Sequence, residues 1–175
     1  GARGCAMGDF DNDGLLDIYV NNGGLQDTLI NDLIDLPIFV QFYIAIEPDY
    51  NKLFMNNGDL TFSDLTSISK SKGFGIGSGV GTADIDDDGF LDLFFTNRTF
   101  YSSGKQITPS DRNFLLRNQG NNNNWIKLNL IGDESNRNGY GAKIKLVSGS
   151  LTQHREHTSA HGYNSANDYR VHFGL

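Results

Sequence analysis

The sequence predicts an all-β protein, and three observations support this fold class. Its 21 acidic residues comprise 18 Asp and only 3 Glu, and Asp is a poor helix former because its side chain competes for backbone hydrogen bonds. The chain has 21 Gly and 19 Asn against 7 Ala, a composition typical of turns and ligand-binding loops. The third observation is an internal repeat whose two copies each lead into a β-rich run. These features argue against a helix bundle.

The overall composition excludes several classes of protein. With 38% apolar and 20% charged residues the chain is globular. Its single cysteine, Cys5, excludes an internal disulfide framework and is expected to be a small buried hydrophobe. The acidic pI near 4.9 argues against nucleic acid as a partner. No apolar run reaches the roughly 18 residues of a membrane span, so no membrane insertion is expected.

The internal repeat begins near the N-terminus. Residues 4–17 read GCAMGDFDNDGLLD and residues 79–92 read GVGTADIDDDGFLD, so seven of fourteen positions are identical at an offset of 75. Each copy runs into a β-prone segment, at residues 18–20 and 93–95. Two strands that directly follow acidic loops are therefore predicted.

A second pair of similar segments follows the acidic loops. NKLFMNNG at 51–58 corresponds to NFLLRNQG at 113–120, each a short apolar strand that runs into an Asn/Gly turn. The offset here is 62 instead of 75, so the first copy carries about 13 extra residues, which we place in an insertion at 25–50. The repeating unit is strand, acidic loop, strand, connection, strand and turn.

The two acidic loops have the spacing of a calcium site. Each has Asp at positions 1, 3, 5 and 9 and Gly at position 6, which permits the sharp turn. Adjacent carboxylates repel unless a cation neutralises them. Six to eight oxygen ligands suit calcium better than magnesium, and the absence of His and Cys disfavours zinc. The predicted ligands, with a backbone carbonyl at position 7, are Asp9, Asp11, Asp13, Leu15 and Asp17, then Asp84, Asp86, Asp88, Phe90 and Asp92.

An EF-hand shares the D-x-D-x-D-G opening but does not fit this chain. It needs Glu at position 12 and flanking helices. Position 12 is Val20 in the first loop and Phe95 in the second, both within β-prone runs. The extra acid of the second loop, Asp87 at position 4, is expected to face solvent.

The N-terminal two thirds resemble a known repeat family. The blocks NKLFMNNGDLTF at 51–62 and 73–95, with 4–24 repeating the second half, resemble FG-GAP/VCBS-type repeats. This resemblance implies β-propeller blades with structural calcium loops, here about two blades over residues 1–122. A closed propeller takes at least about four blades. We therefore expect a fragment of a longer chain or a protein that completes its sheets by assembly.

The C-terminal part resembles a different module. WIKLNL at 125–130, SNRNGYGAKI at 135–144 and VHFGL at 171–175 are similar to the ASPIC/UnbV domain. This resemblance implies a small β domain over 123–175, of a type that follows such repeats in secreted proteins. The family usually continues past its F-G-L, whereas this chain stops at Leu175, so both ends are expected to be truncated.

Three other sequence features bear on function. The uncharged apolar segment 36–46 is either a buried strand of the propeller or a self-association surface. His154 and His157 would face opposite sides of a strand, so a zinc site with His161 is not expected. Glycines at alternate positions from 73 to 81 indicate one crowded strand face and not a phosphate cradle.

These features predict a calcium-binding adhesion or assembly module, extracellular or at the cell surface. About two structural calcium ions are expected, and its partners would be other protein chains, further copies of itself or glycans. No catalytic pattern frames its Ser, His and Asp residues, so it is not expected to be an enzyme. The alternative is a non-catalytic accessory domain or fragment of a larger secreted enzyme or carbohydrate-binding protein.

Overall fold

The computed structural model describes residues 2–22, 50–73, 75–98, 101–102, 105–106, 112–134 and 136–175. The apolar segment 36–46, and all but the last residue of the predicted insertion 25–50, lie outside the described residues. The described residues form strands and no helix, which confirms the all-β prediction. The strands are β1 (Ala2–Gly8), β2 (Asp17–Asn22), β3 (Lys52–Asn56), β4 (Phe62–Asp64), β5 (Ile76–Ala83), β6 (Asp92–Arg98), β7 (Tyr101–Ser102), β8 (Lys105–Gln106), β9 (Phe114–Leu116), β10 (Trp125–Leu128), β11 (Lys143–Ser148), β12 (Leu151–Glu156) and β13 (Val171–Gly174).

Two antiparallel sheets form the N-terminal part of the fold. The first blade has the order β1-β2-β3-β4, and the second blade has the order β5-β6-β9. Tyr19 pairs with Leu53 in the first blade, and Phe94 pairs with Leu115 in the second. Tyr19 and Phe94 lie 75 positions apart in the sequence, and Leu53 and Leu115 lie 62 positions apart. These are the two offsets of the sequence repeat. The repeat is therefore preserved in strand register.

The hydrophobic core lies between the two blades. Tyr19 of the first blade and Phe95 of the second have ring centroids 5.8 Å apart. Phe95 also stacks on Phe114 at 5.1 Å. The buried core side chains are Ala6, Phe10, Tyr19, Leu53, Val80, Leu91, Leu93 and Phe95.

Glycines allow the backbones at the blade interface to approach closely. A Cβ atom on Gly4 of β1 would lie 2.6 Å from the carbonyl oxygen of Ser78 on β5. On β5, a Cβ at Gly77 would meet the Asn21 side chain, and one at Gly81 would meet the carbonyl oxygen of Ala166. The predicted crowding is confirmed for the glycines within β5, whereas Gly73 and Gly75 lie before this strand.

Two short sheets form the C-terminal module, which we define as β10 to β13. β10 pairs with β13, and β11 pairs with β12 in a hairpin. Its first strand begins at Trp125, where the sequence placed it. Along β12 and just beyond it side chains alternate, so His154 is exposed and His157 is buried, as predicted. The boundary between residues 122 and 123 stays a prediction.

The expectation that Cys5 is buried is wrong. Side chains on β1 alternate, and Ala6 is the residue that enters the core. Cys5 therefore lies on the exposed face with Met7.

The described residues contain no helix that is long and apolar enough to cross a membrane.

Candidate metal centres

The first acidic loop (residues 9–17) and the second (residues 84–92) follow β1 and β5 and have the same turn geometry. Position 4 is left-handed in both, with φ of 58° at Asn12 and 57° at Asp87. Position 6 is also left-handed, with φ of 90° at Gly14 and 94° at Gly89. Glycine adopts this conformation without steric cost, which explains why the repeat has Gly there.

The first carboxylate of each loop organises the turn through backbone amides. Asp9 Oδ2 accepts a hydrogen bond from Gly14 N at 2.9 Å, and its Oδ1 accepts one from Asp13 N at 3.0 Å. In the second loop Asp84 Oδ2 accepts one from Gly89 N at 2.8 Å. The position-1 side chain therefore fixes the loop conformation as well as offering oxygen ligands.

The last carboxylate of each loop ties the loop to its own sheet. Asp17 accepts hydrogen bonds from Phe10 N and Asn56 N, both at 2.9 Å. Asp92 accepts the equivalent bonds at 3.0 and 2.8 Å, from Ile85 N and Asn118 N. Because these donor amides occupy equivalent positions of the repeat, the two loops are attached to their sheets by the same hydrogen bonds.

Three carboxylates converge in each loop, although the two sets differ. Asp9, Asp11 and Asp17 place one oxygen each within 4.8 Å of one another, and Asp13 stays outside this group. In the second loop the group is Asp84, Asp86 and Asp88, without Asp92. Leu15 and Phe90 occupy position 7 of their loops, and their role as carbonyl ligands stays a prediction.

Each group contains a carboxylate oxygen that suits a hard cation. Asp11 Oδ1 and Asp84 Oδ1 are buried and accept no hydrogen bond. A buried oxygen without a donor is costly unless a positive charge compensates it. The residues present therefore fit a divalent cation with oxygen ligands at each loop.

The first loop carries its charge without an ion pair, although Arg155 lies near enough to Asp9 to interact with it electrostatically. Burial raises the pKa of Asp9 to about 6 and that of Asp17 to about 7, and neighbouring carboxylates add to both shifts. The pKa of Asp11 is raised for the same reasons. Within the described residues, no Lys or Arg forms an ion pair with a carboxylate of this loop.

The second loop is surrounded by basic side chains. Lys127 Nζ lies 2.7 Å from both Asp84 Oδ2 and Asp87 Oδ1. Arg170 also pairs with Asp87, at 2.8 Å, and Arg117 pairs with Asp86 and Asp88. Hydrogen bonds from Lys127 and Arg170 lower the pKa of Asp87 to about 2. Asp87 is exposed, as expected, but the sequence did not reveal these partners.

The C-terminal module contacts both loops, and sequence reasoning missed this. Gly174 N donates to Asp9 Oδ2 at 3.1 Å, and His172 Nε2 donates to the Gly89 carbonyl oxygen at 3.0 Å. The loops also contact each other, because Asn12 Nδ2 donates to that same oxygen at 3.1 Å. No local motif signals such contacts, since the partners lie 77 to 165 positions apart.

Fold and loops together define a β-propeller-type repeat protein with a C-terminal β module. Residues 40–95 match the family FG-GAP-like repeat, and residues 132–175 match the family ASPIC and UnbV. The chain thus combines an FG-GAP-like repeat with an ASPIC/UnbV domain, as the resemblance predicted. The repeat match begins within the predicted insertion 25–50. No curated protein matches the chain.

Proposed function

We propose that this chain is a calcium-binding module of a secreted or cell-surface protein, with structural calcium in its acidic loops. One observation carries the proposal. Two loops of the same hydrogen-bonded design each bring three carboxylates within 4.8 Å, and each group has a buried oxygen that accepts no hydrogen bond. Such a site lowers its free energy by taking up a cation.

The chemistry of the ligands favours calcium. Both groups consist only of Asp, which suits a hard cation and disfavours zinc. Calcium accepts six to eight oxygens in flexible geometry, whereas magnesium retains several waters. Calcium-binding modules outside cells bind with dissociation constants of about 10⁻⁴ to 10⁻³ M. An extracellular location would therefore keep weak structural sites filled.

We propose that the module acts in adhesion or assembly, without catalysis, by contacting other protein chains or further copies of itself. Exposed apolar side chains on the first blade support this role, because Leu60 is 97% exposed and Ile68 is 80% exposed. β4 is a strand of only three residues at the edge of its sheet. An edge strand presents unpaired backbone groups to which another chain can add, although so short a strand offers few of them.

Calorimetric titration of chelator-treated protein with calcium tests the proposal. We expect heat of binding, and a higher melting temperature at saturation because calcium binds the folded state. Asp11→Asn should weaken binding at the first loop and Asp86→Asn at the second. Asp133→Asn, an exposed residue outside both loops, is the matched control. Absence of binding heat together with an unchanged melting curve would refute the calcium role.

A further inference from the structure

We propose that Lys127 makes the two calcium sites unequal. Its ammonium group lowers the calcium affinity of the second loop, so that the chain binds one ion tightly in the first loop and one at least about tenfold more weakly in the second. This inference rests on the proposed calcium function and names a residue that determines the affinity of one site.

The C-terminal module reaches the same atom in each loop with a different group. Asp9 Oδ2 accepts a hydrogen bond from Gly174 N, a neutral backbone amide, at 3.1 Å. Asp84 Oδ2 accepts one from Lys127 Nζ, a full positive charge, at 2.7 Å. Both donors satisfy the oxygen that faces the module, but only the second cancels charge.

The position of Lys127 is fixed by its surroundings. Its side chain is only 10% exposed and also contacts Asp87 Oδ1 at 2.7 Å. The ammonium lies 5.1 Å from the ring centroid of Trp125, on the same strand, and Lys127 pairs with His172 across the sheet. These contacts hold Lys127 beside Asp84, so a calcium ion in this loop would bind next to its ammonium group.

Charge separates the two loops further. No basic side chain forms an ion pair with the four carboxylates of the first loop among the described residues, although Arg155 interacts with Asp9 electrostatically. In the second loop, basic side chains contact four of the five carboxylates, and one of them, Arg170, also pairs with Asp168. Direct ion pairs thus offset charge in the second loop and not in the first. Calcium affinity follows the charge of the ligand set.

The three basic residues of the second loop are not equivalent. Arg117 is 62% exposed and can swing away, and Arg170 touches Asp87 but none of the three converging carboxylates. Lys127, with a side chain only 10% exposed, contacts Asp84, which is one of the three. It is therefore the residue that limits binding.

The test compares single-site proteins by calcium calorimetry after chelator treatment. Asp86→Asn isolates the first loop, and Asp11→Asn isolates the second. We expect the dissociation constant of the second loop to be at least about tenfold larger. Adding Lys127→Gln to Asp11→Asn should lower that constant about tenfold, because Gln keeps a donor but removes the charge. Lys127→Arg should leave it high, and Lys143→Gln, at an exposed position on β11, should not change it.

Each outcome decides between the two proposals. Equal dissociation constants, within about threefold, for the two single-site proteins would overturn the role of Lys127, even if the Lys127→Gln variant did not fold. An unchanged second site in a folded Lys127→Gln protein would also overturn it. Absence of calcium binding in the unmutated chain would overturn the calcium function itself, and this inference with it.

Discussion

The first acidic loop receives a backbone amide from the C-terminal module, whereas the second receives an ammonium group at the equivalent carboxylate oxygen. Within the loops, the left-handed residues, the glycine amide that binds the first carboxylate and the two amides that bind the last carboxylate are the same. The sequence repeat therefore determines the conformation of each loop. The neighbours that pack on the loop determine its charge, and these neighbours are not repeated.

The largest expected difference concerns the loop glycines. A Cβ atom on Gly89 would lie 1.6 Å from Trp125 Nε1, in a rigid ring, whereas one on Gly14 would lie 2.6 Å from a terminal methyl of Leu151. Both positions have similar positive φ, so a difference in cost between them reflects how tightly the C-terminal module packs on each loop. We expect Gly89→Ala to cost about 4 kcal/mol and Gly14→Ala about 2 kcal/mol in denaturant unfolding with calcium.

The matched control is Gly149→Ala, which shares a positive φ but has no atom within 4 Å of the new Cβ. It should cost about 1 kcal/mol from backbone strain alone. Equal costs for Gly89→Ala and Gly14→Ala would show that the module does not press more tightly on the second loop.

Calcium removal should affect mainly the first loop. At a calcium concentration of about 100 times the dissociation constant, binding stabilises the fold by about 3 kcal/mol. Scanning calorimetry with and without chelator should show most of this gain in Asp86→Asn. In Asp11→Asn, at the same calcium concentration, a second site that is at least about tenfold weaker should give a gain of about 1.4 kcal/mol or less. The reverse pattern would place the tighter site in the second loop.

The calcium-free protein should become less stable as pH rises. The pKa values of Asp9 and Asp17, about 6 and about 7, lie above the ordinary value of 3.8. The folded state therefore holds protons that the unfolded state has released, and the free energy of unfolding falls through this window. We expect a loss of about 2 kcal/mol between pH 5.5 and 7 in urea unfolding with chelator.

Saturating calcium is the control for this pH dependence, because a bound cation favours the ionised carboxylates and should flatten the slope. Stability that increases with pH in chelator would contradict the burial of uncompensated carboxylates in the first loop.

The smallest expected contrast involves two equivalent asparagines. Asn118 Nδ2 donates to the carbonyl oxygens of Leu91 and, across the blades, Phe10, at 3.2 and 2.8 Å. Asn56 Nδ2 donates only to Leu16, at 3.1 Å. Asn118→Ala should therefore cost about 1 kcal/mol more than Asn56→Ala in thermal or denaturant unfolding. Equal losses would mean that the bond between blades contributes nothing.

The parts of the fold that could be predicted are those that depend on local residue spacing and composition. The two loops, the strands that follow them and the start of β10 at Trp125 all follow from spacing and composition. The offsets of 75 and 62 relate the strand pairing of one blade to that of the other. Burial of Cys5 was predicted wrongly, because average burial of cysteine does not reveal which face of a strand enters the core.

The candidate sites could be predicted only in part. Spacing identified the acidic residues, but Asp13 and Asp92 stay outside the converging groups. Lys127 and Gly174 lie far from the loops in sequence, and neither belongs to a recognisable metal-binding pattern. Their role depends on how the C-terminal module docks, which is a property of tertiary packing.

The hydrogen bond from Gly174 to Asp9 spans 165 positions of the chain. Contacts of such long sequence separation form late, because the entropy of closing a long loop must be overcome first. During synthesis the first loop emerges early and remains uncovered until β13 has been made and has paired with β10. Its site would therefore be completed only after β13 has docked, and a newly made chain would pass through a stage in which the second blade is assembled while the first loop is still open to solvent.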